Sequence, residues 1–261
     1  MAWIADTAQT TSTRVIINMT NTTVAFFGAS AGVGLSALNH TLAAGHQCIA
    51  LCRNPSKLTA IFPPASTSNL TVMEGNAHDV DAVSKCLQTP TGKLVDLIVT
   101  TIGGKPIISK MSVTLDDPHV CQQGATVLLE AITYLRSRGI TGNPHIIACS
   151  TTGLSRFARD VPLPMVPVYT VMLKVPGEDK KIMEDRFAES GEAYTIVRAS
   201  RLVDGETDKM VRVGLEDSTT GTESKAIGYS ISREDTGKWI AEHLVMKRDA
   251  RYLNKIATIT N

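Results

Sequence analysis

The chain carries no surplus of charge of either sign. Among its 261 residues, 26 Lys and Arg face 25 Asp and Glu, for a formal net charge of +1. No basic stripe gathers anywhere along it, which argues against nucleic acid as a partner. Long apolar runs are also missing: none reaches the roughly 18 residues that a membrane helix needs. The opening MAWIADTAQTTSTR places an acid at Asp6 and has no apolar core of the signal-peptide kind. The expectation is a soluble, cytoplasmic protein with no membrane partner, in which the N-x-Thr sequons at Asn18, Asn21 and Asn69 have no consequence. Cys-x-x-Cys does not occur. The five cysteines are odd in number, and the six histidines form no spaced cluster with them, so no metal site is expected. Cys48, Cys52 and Cys149 lie in apolar runs and read as buried free thiols. G-x-S-x-G occurs only as GASAG at 28–32, between a strand and a helix that also fit a nucleotide loop, and a serine hydrolase is poorly supported.

What is present is a large apolar fraction, 43% of residues, arranged in alternating short runs and helical periods. Val24–Phe27 reads as a buried strand. From Gly32 to Ala44 the pattern turns helical, with Leu35, Leu38 and Leu42 on one face and Gly45 at a left-handed stop. Gln47–Cys52 is the next strand. Further strands are expected at 70–75, 94–104, 144–153, 194–200 and 251–260. Helices are expected at Val80–Leu87, Ala125–Arg138, Lys180–Ser190 and Asp235–Met246, with Gly139 and Gly191 closing two of them. Strands alternating with helices of this length imply βαβ units. The fold expected is α/β: a Rossmann-type doubly wound, mostly parallel sheet with helices on both faces. No internal repeat or linker divides it. Residues 1–21 form a polar arm, and 22–261 form one nucleotide-binding domain with irregular pocket-shaping insertions at 154–178 and 201–234.

The segment VAFFGASAGVG places Gly28, Gly32 and Gly34 between a strand and a helix. The first glycine permits the turn out of the strand. The others admit a pyrophosphate near the backbone and let the helix pack against the sheet. The free N–H groups of the first helical turn then face the phosphates. Gly28, Ser30, Ala31, Gly32, Val33 and Gly34 are therefore candidate cofactor contacts. At the end of the second strand, an NAD site usually presents Asp or Glu to the ribose hydroxyls. This chain presents Arg53, with Lys57 close behind. A carboxylate would repel a 2′-phosphate, whereas a guanidinium binds it with two charge-assisted bonds. NADPH is the expected cofactor. By topology, Asn76 and Ala77 fall beside the adenine, and Thr101, Ile102 and Gly103 pass the nicotinamide ribose.

Together these segments resemble the atypical short-chain dehydrogenase/reductases, in particular the NAD(P)H-binding group that includes flavin and biliverdin reductase-like proteins. The resemblance runs from about residue 22 to 260. It is carried by FFGASAGVG at 26–34, ALCRNPSKL at 50–58, VDLIVTTIGG at 95–104, EDKKIMED at 178–185 and YTIVRASRLVDGE at 194–206. Two departures stand out. The loop reads GASAGVG where the group usually reads GATGxxG, and Ala199 replaces a proline after Arg198.

Classical members of the superfamily use Ser, Tyr and Lys in Y-x-x-x-K to protonate a carbonyl as hydride arrives. Here Ser150, Thr151 and Thr152 follow the fifth strand, and Ser150 is the candidate hydroxyl. Tyr169 is the candidate proton donor. Its lysine, Lys174, comes five residues on, a spacing that does not share a helix face, and Pro167 and Pro176 argue against a regular helix there. Lys180 is the third candidate, since in relatives a lysine near this point faces cofactor or substrate. Arg198 reads equally as an anion ligand or as a partner of Glu184 or Asp185. His145 reads as structural, and His78 shows no evident partner. The best reading is an NADPH-dependent reductase of a small, apolar or aromatic carbonyl, enone, quinone or flavin-like compound. Its alternatives are a non-redox cyclase, isomerase or dehydratase on the same scaffold, and an NADPH-binding redox sensor. Monomer and homodimer both stay open.

Overall fold

The computed structural model describes residues 22–108 and 113–261; the polar arm, with the apolar VIIN run at 15–18, lies outside them. Strands β1 (Thr23–Phe27), β2 (Gln47–Cys52), β3 (Leu70–Glu74) and β4 (Leu97–Thr100) come first, separated by helices α1 (Gly32–Ala43), α2 (Ser56–Thr59) and α3 (Val80–Leu87). A short hairpin follows, β5 (Pro106–Ile108) with β6 (Val113–Leu115), then α4 (Val120–Ser137) and β7 (His145–Thr151). Helix α5 (Lys174–Glu189) leads to β8 (Ala193–Ala199), β9 (Arg201–Val203), β10 (Arg212–Asp217), β11 (Gly221–Ser224) and β12 (Ser230–Ser232). The chain closes with α6 (Arg233–Trp239), a π-helical continuation over Ile240–Met246, and β13 (Lys255–Thr260).

Nine of these strands form one sheet in the order β11-β10-β13-β8-β7-β4-β1-β2-β3. Its pairings are parallel from β3 across to β13, and only β10 runs antiparallel, both to β13 and to β11. The central strands are apolar throughout because both faces are covered. Val24 and Phe26 pack on the side of α1 and α6, with Trp239, Ile240 and Leu244. Ala25 and Phe27 pack on the side of α3, α4 and α5, with Val83, Leu128 and Phe187. The expected helix stops hold: Gly45, Gly139 and Gly191 have φ of +86°, +83° and +78°. All five cysteines are buried and free.

Two segments differ from the sequence reading. Residues 201–234 are not irregular: they hold β9 to β12, two of which extend the sheet at its edge. These strands are short and polar, and an edge pairing leaves little hydrophobic signature to read. Residues 166–178 are helical but for a turn at Leu173, despite Pro167 and Pro176. Val168–Met172 form a π-helical turn closed by Leu173 N–H to Val168 O at 3.0 Å. Pro176 falls in the first turn of α5, where its missing N–H costs no intrahelical bond.

Candidate cofactor and active site

From β1 the chain runs outward to β2 and β3, then crosses back to β4 on the other side. The crevice at the carboxyl ends of β1 and β4 is therefore the topological switch point at which such sheets bind ligands. The glycine loop sits there under tight packing. Gly28 has φ +86°, and a Cβ on it would lie 2.9 Å from the Thr101 carbonyl carbon. A Cβ on Gly34 would lie 2.3 Å from Thr101 Oγ1 and 2.6 Å from Gly28 O. Thr101 ties the two strands together, its N–H donating to Phe27 O at 2.9 Å and its hydroxyl to Gly28 O at 3.1 Å.

Helix α1 begins without a side-chain cap at Ala31 and without an acid in its first turn. Its first intrahelical bond is Leu35 N–H to Ala31 O at 3.3 Å, so the N–H groups of Gly32, Val33 and Gly34 precede the ladder. Uncapped donors, the positive end of the helix dipole and a backbone stripped of Cβ fit the pyrophosphate of a dinucleotide. Arg53, at the end of β2, is exposed and makes no hydrogen bond or ion pair with the described residues; Lys57 is likewise exposed. Asn76 and Ala77 follow β3, and Ile102 and Gly103 follow β4, along the same crevice.

The candidate chemistry lies at the end of β7, two strands from the glycine loop. Ser150 does not face the crevice. Strand β7 runs on through Thr151, so the pleat turns Ser150 to the same side as Ile146 and Ala148, toward α5. Its hydroxyl donates to Glu184 Oε1 at 2.6 Å. The hydroxyl that meets Tyr169 is that of Thr152, just beyond the strand and almost fully buried, which donates to the Tyr169 oxygen at 3.3 Å. Gly153 (φ +87°) lets the tyrosine ring close in, since a Cβ there would lie 2.5 Å from Tyr169 Cδ1. Tyr169 sits in the π-helical turn, whose wider spacing brings positions i and i+5 nearer one face than an α-helix does. Even so, Lys174 points outward, 3.8 Å from Glu178, with both side chains largely exposed.

Lys180 lies where α5 meets β7, and its ammonium donates to Cys149 O at 2.9 Å. Burial works against its charge, but Cys121, Cys149, Asp179 and Glu184 around it raise its pKa above the ordinary lysine value. Burial also pushes the Cys121 thiol up to about 11 and raises that of Cys149. Both thiols stay protonated at neutral pH, so Asp179 and Glu184 supply the negative charge that favours the ammonium. Asp179 also caps α4, accepting from the N–H groups of Cys121 and Gln122 at 2.9 Å each.

Arg198 is buried and bound to carboxylates of the chain itself. It donates to Glu184 at 3.0 and 2.7 Å and to Glu216 at 3.0 Å. Burial opposes its charge, and Glu184 and Glu216 more than compensate, leaving its pKa raised. His145 is structural: Nε2 lies 2.9 Å from Thr195 Oγ1, and burial lowers its pKa to about 4. His78 does have a partner, Val120 O at 3.0 Å. Two small cavities open along β10 at Glu216, one bounded by Arg156 and Asp185 and the other by Arg159 and Lys225. Neither touches the glycine loop or Tyr169. The chemistry of the crevice marks it as the candidate site.

Sequence reasoning left Arg233, Asp179 and Glu216 unassigned and passed over Thr152 for Ser150. No local signal separates the two hydroxyls: β7 ends at Thr151, and long-range packing turns Ser150 toward Glu184 and sets Thr152 beside Tyr169.

A family model described as NAD(P)H-binding matches residues 28–247, and the chain belongs to that NAD(P)H-binding family. It is 44% identical to "Reductase pytE" of Aspergillus terreus, over 91% of this chain and 97% of that protein. It is 29% identical to "Oxidase pynE" of Aspergillus niger, over 93% and 99% respectively. Among solved structures, a short-chain dehydrogenase/reductase from Veillonella parvula in complex with NADP superposes with a TM-score of 0.66 at 15% identity, covering 92% of this chain and 94% of that one. ChuY, an anaerobillin reductase from Escherichia coli, gives 0.61 at 17% identity, covering 91% and 96%. The resemblance read from the glycine loop and its neighbours is thus borne out at the level of family and fold. Among the described residues no helix is long and apolar enough to cross a membrane.

Proposed function

We propose that this protein is an NADPH-dependent reductase of a small, apolar or aromatic carbonyl, enone, quinone or flavin-like compound. The observation that carries the cofactor choice is Arg53: a free guanidinium at the end of β2, where an NAD enzyme presents a carboxylate. A bare, permanently charged fork at that position suits a 2′-phosphate. In this reading the loop from Gly28 through Ser30, Ala31, Gly32, Val33 and Gly34 holds the pyrophosphate, Arg53 and Lys57 the 2′-phosphate, Asn76 and Ala77 the adenine, and Thr101, Ile102 and Gly103 the nicotinamide ribose. The 44% identity to a protein named a reductase supports a redox role.

Bound NADPH supplies the hydride. The chain's part is to place an acceptor and hold a proton for it. Thr152 donates a hydrogen bond to the Tyr169 oxygen, which leaves the phenolic O–H free to donate to a substrate oxygen. Lys180 adds a fixed positive charge at the end of β7, where negative charge would develop on a reduced carbonyl. Ser150, committed to Glu184, takes no part.

Titration with NADPH and NADH by fluorescence, followed by NADPH absorbance against quinones, enones, aldehydes and flavin, tests this reading. The expected result is tighter NADPH than NADH binding and acceptor-dependent oxidation. Arg53→Ala should weaken NADPH and spare NADH, and Tyr169→Phe should lower turnover without changing cofactor affinity. Binding of neither cofactor would end the proposal.

A further inference from the structure

The residue packed against the glycine loop from the far half of the chain is Arg233. A Cβ on Gly32 would lie 3.1 Å from Arg233 Cδ and 3.7 Å from its Nε, so the arginine stem runs along the loop itself. Its position is fixed by close packing of α6 on α1. Ser36 Oγ donates to Glu234 O at 2.8 Å, and a Cβ on Gly237 would lie 2.5 Å from both Ser36 Cβ and Val33 O. The first turn of α1 contains no acid. The counter-ion of Arg233 comes instead from the segment after β9: Nη1 lies 2.6 Å from Asp204 Oδ1, whose side chain is 85% exposed.

That segment is attached to the start of α6 at several further points. Gly205 N–H donates to Glu234 Oε2 at 3.0 Å, Thr207 donates to Asp235 through its N–H (3.2 Å) and hydroxyl (2.7 Å), and Lys238 reaches Glu206 at 3.3 Å. Asp204 is thus a replaceable, solvent-exposed partner on a segment otherwise held in place. A phosphate at the α1 N-terminus would offer the same guanidinium a stronger, doubly acceptor-rich partner.

We propose that Arg233 is an additional ligand of the dinucleotide's pyrophosphate and that it exchanges Asp204 for the phosphate on binding. The inference rests on the cofactor reading above. It assigns Arg53 and Arg233 separable tasks: Arg53 reads the 2′-phosphate that only NADPH has, while Arg233 serves the pyrophosphate common to NADPH and NADH. Asp204 then acts as an internal competitor, linking the segment after β9 to cofactor occupancy.

The test is equilibrium binding of NADPH and NADH, by fluorescence titration and calorimetry across a salt series, with circular dichroism and thermal melting to establish that each variant is folded. Arg233→Met should weaken both cofactors by the same factor, about tenfold for the loss of a charged hydrogen bond, and should flatten the salt dependence. Arg233→Lys should recover part of the loss. Asp204→Asn should tighten both about two- to threefold, in keeping with an exposed ion pair, and that gain should vanish in the Arg233→Met background. Unchanged affinities in Arg233→Met and Arg233→Lys would overturn the proposal. So would a loss confined to NADPH, or an Asp204→Asn gain that persists without Arg233. If the unsubstituted protein binds neither cofactor, the functional reading itself has failed; if it binds both and only Arg53→Ala matters, this inference alone has failed.

Discussion

Replacing Arg198 by methionine keeps the apolar stem of the side chain and removes its charged head. The structure predicts a large loss. The guanidinium makes two bonds to Glu184 (3.0 and 2.7 Å) and one to Glu216 (3.0 Å), with side-chain exposures of 1%, 2% and 9%. Without it, the two buried carboxylates keep, among the described residues, the hydroxyls of Ser150 and Ser155, the Lys181 ammonium 3.8 Å from Glu184 and the electrostatic influence of Lys180 on Glu184. Breaking a buried pair from one side costs about 3–5 kcal/mol, because the surviving charge is stranded. At roughly 2–4 °C per kcal/mol for a domain of this size, the melting temperature should fall by about 6–20 °C.

The pH dependence follows from the sign of the resulting shifts. In Arg198→Met the stranded carboxyls protonate more readily folded than unfolded, so the folded state binds extra protons above the ordinary glutamate range. Stability then rises as pH falls through that window, and the deficit relative to the parent should narrow between pH 7 and pH 5. Asp160, already raised by burial and eased by Arg198, moves the same way. Adding Glu184→Gln and Glu216→Gln to the variant should restore most of the loss. Urea unfolding at both pH values reads all of this. A loss under about 1 kcal/mol at pH 7, set against the 3–5 kcal/mol expected of a stranded buried charge, or one unaffected by pH, would refute the reasoning.

Two further outcomes follow from single positions. Gly34→Ala should cost about 1–3 kcal/mol and abolish tight cofactor binding, since its Cβ meets Thr101 Oγ1 at 2.3 Å; Thr101→Ala should rescue it only in part, because Gly28 O still lies at 2.6 Å. His145, with its pKa lowered to about 4, stays neutral in the fold while the unfolded chain takes up a proton below about 6.5. Stability should therefore fall by about 3 kcal/mol from pH 6.5 to pH 4, and His145→Gln should remove that part of the slope in an acid-denaturation series.

Much of the sheet was legible because its central strands are buried on both faces and its helices end at glycines that must take positive φ. Val24–Phe27, Gln47–Cys52 and the stops at Gly45, Gly139 and Gly191 follow from local rules alone. So do the positions of the glycine loop between strand and helix and of the arginine at the next strand's end, which are neighbours in sequence before they are neighbours in space. Strands β9 to β12 were not legible, because short polar edge strands take their shape from partners far along the chain.

The amino-acid order by itself determined the α/β class, the place of the glycine loop and the cationic end of β2, since each rests on backbone conformation and periodicity within a few residues. Only the tertiary structure decided what long-range contacts control. It turned Ser150 toward Glu184 and set Thr152 beside Tyr169, gave Arg198 to Glu184 and Glu216, and brought Arg233 against Gly32 from the other end of the chain. The direction of a side chain beyond a strand's last residue, and the partner of a buried charge, depend on which elements pack there. That is settled by the burial of surfaces distant in sequence, not by the residues on either side.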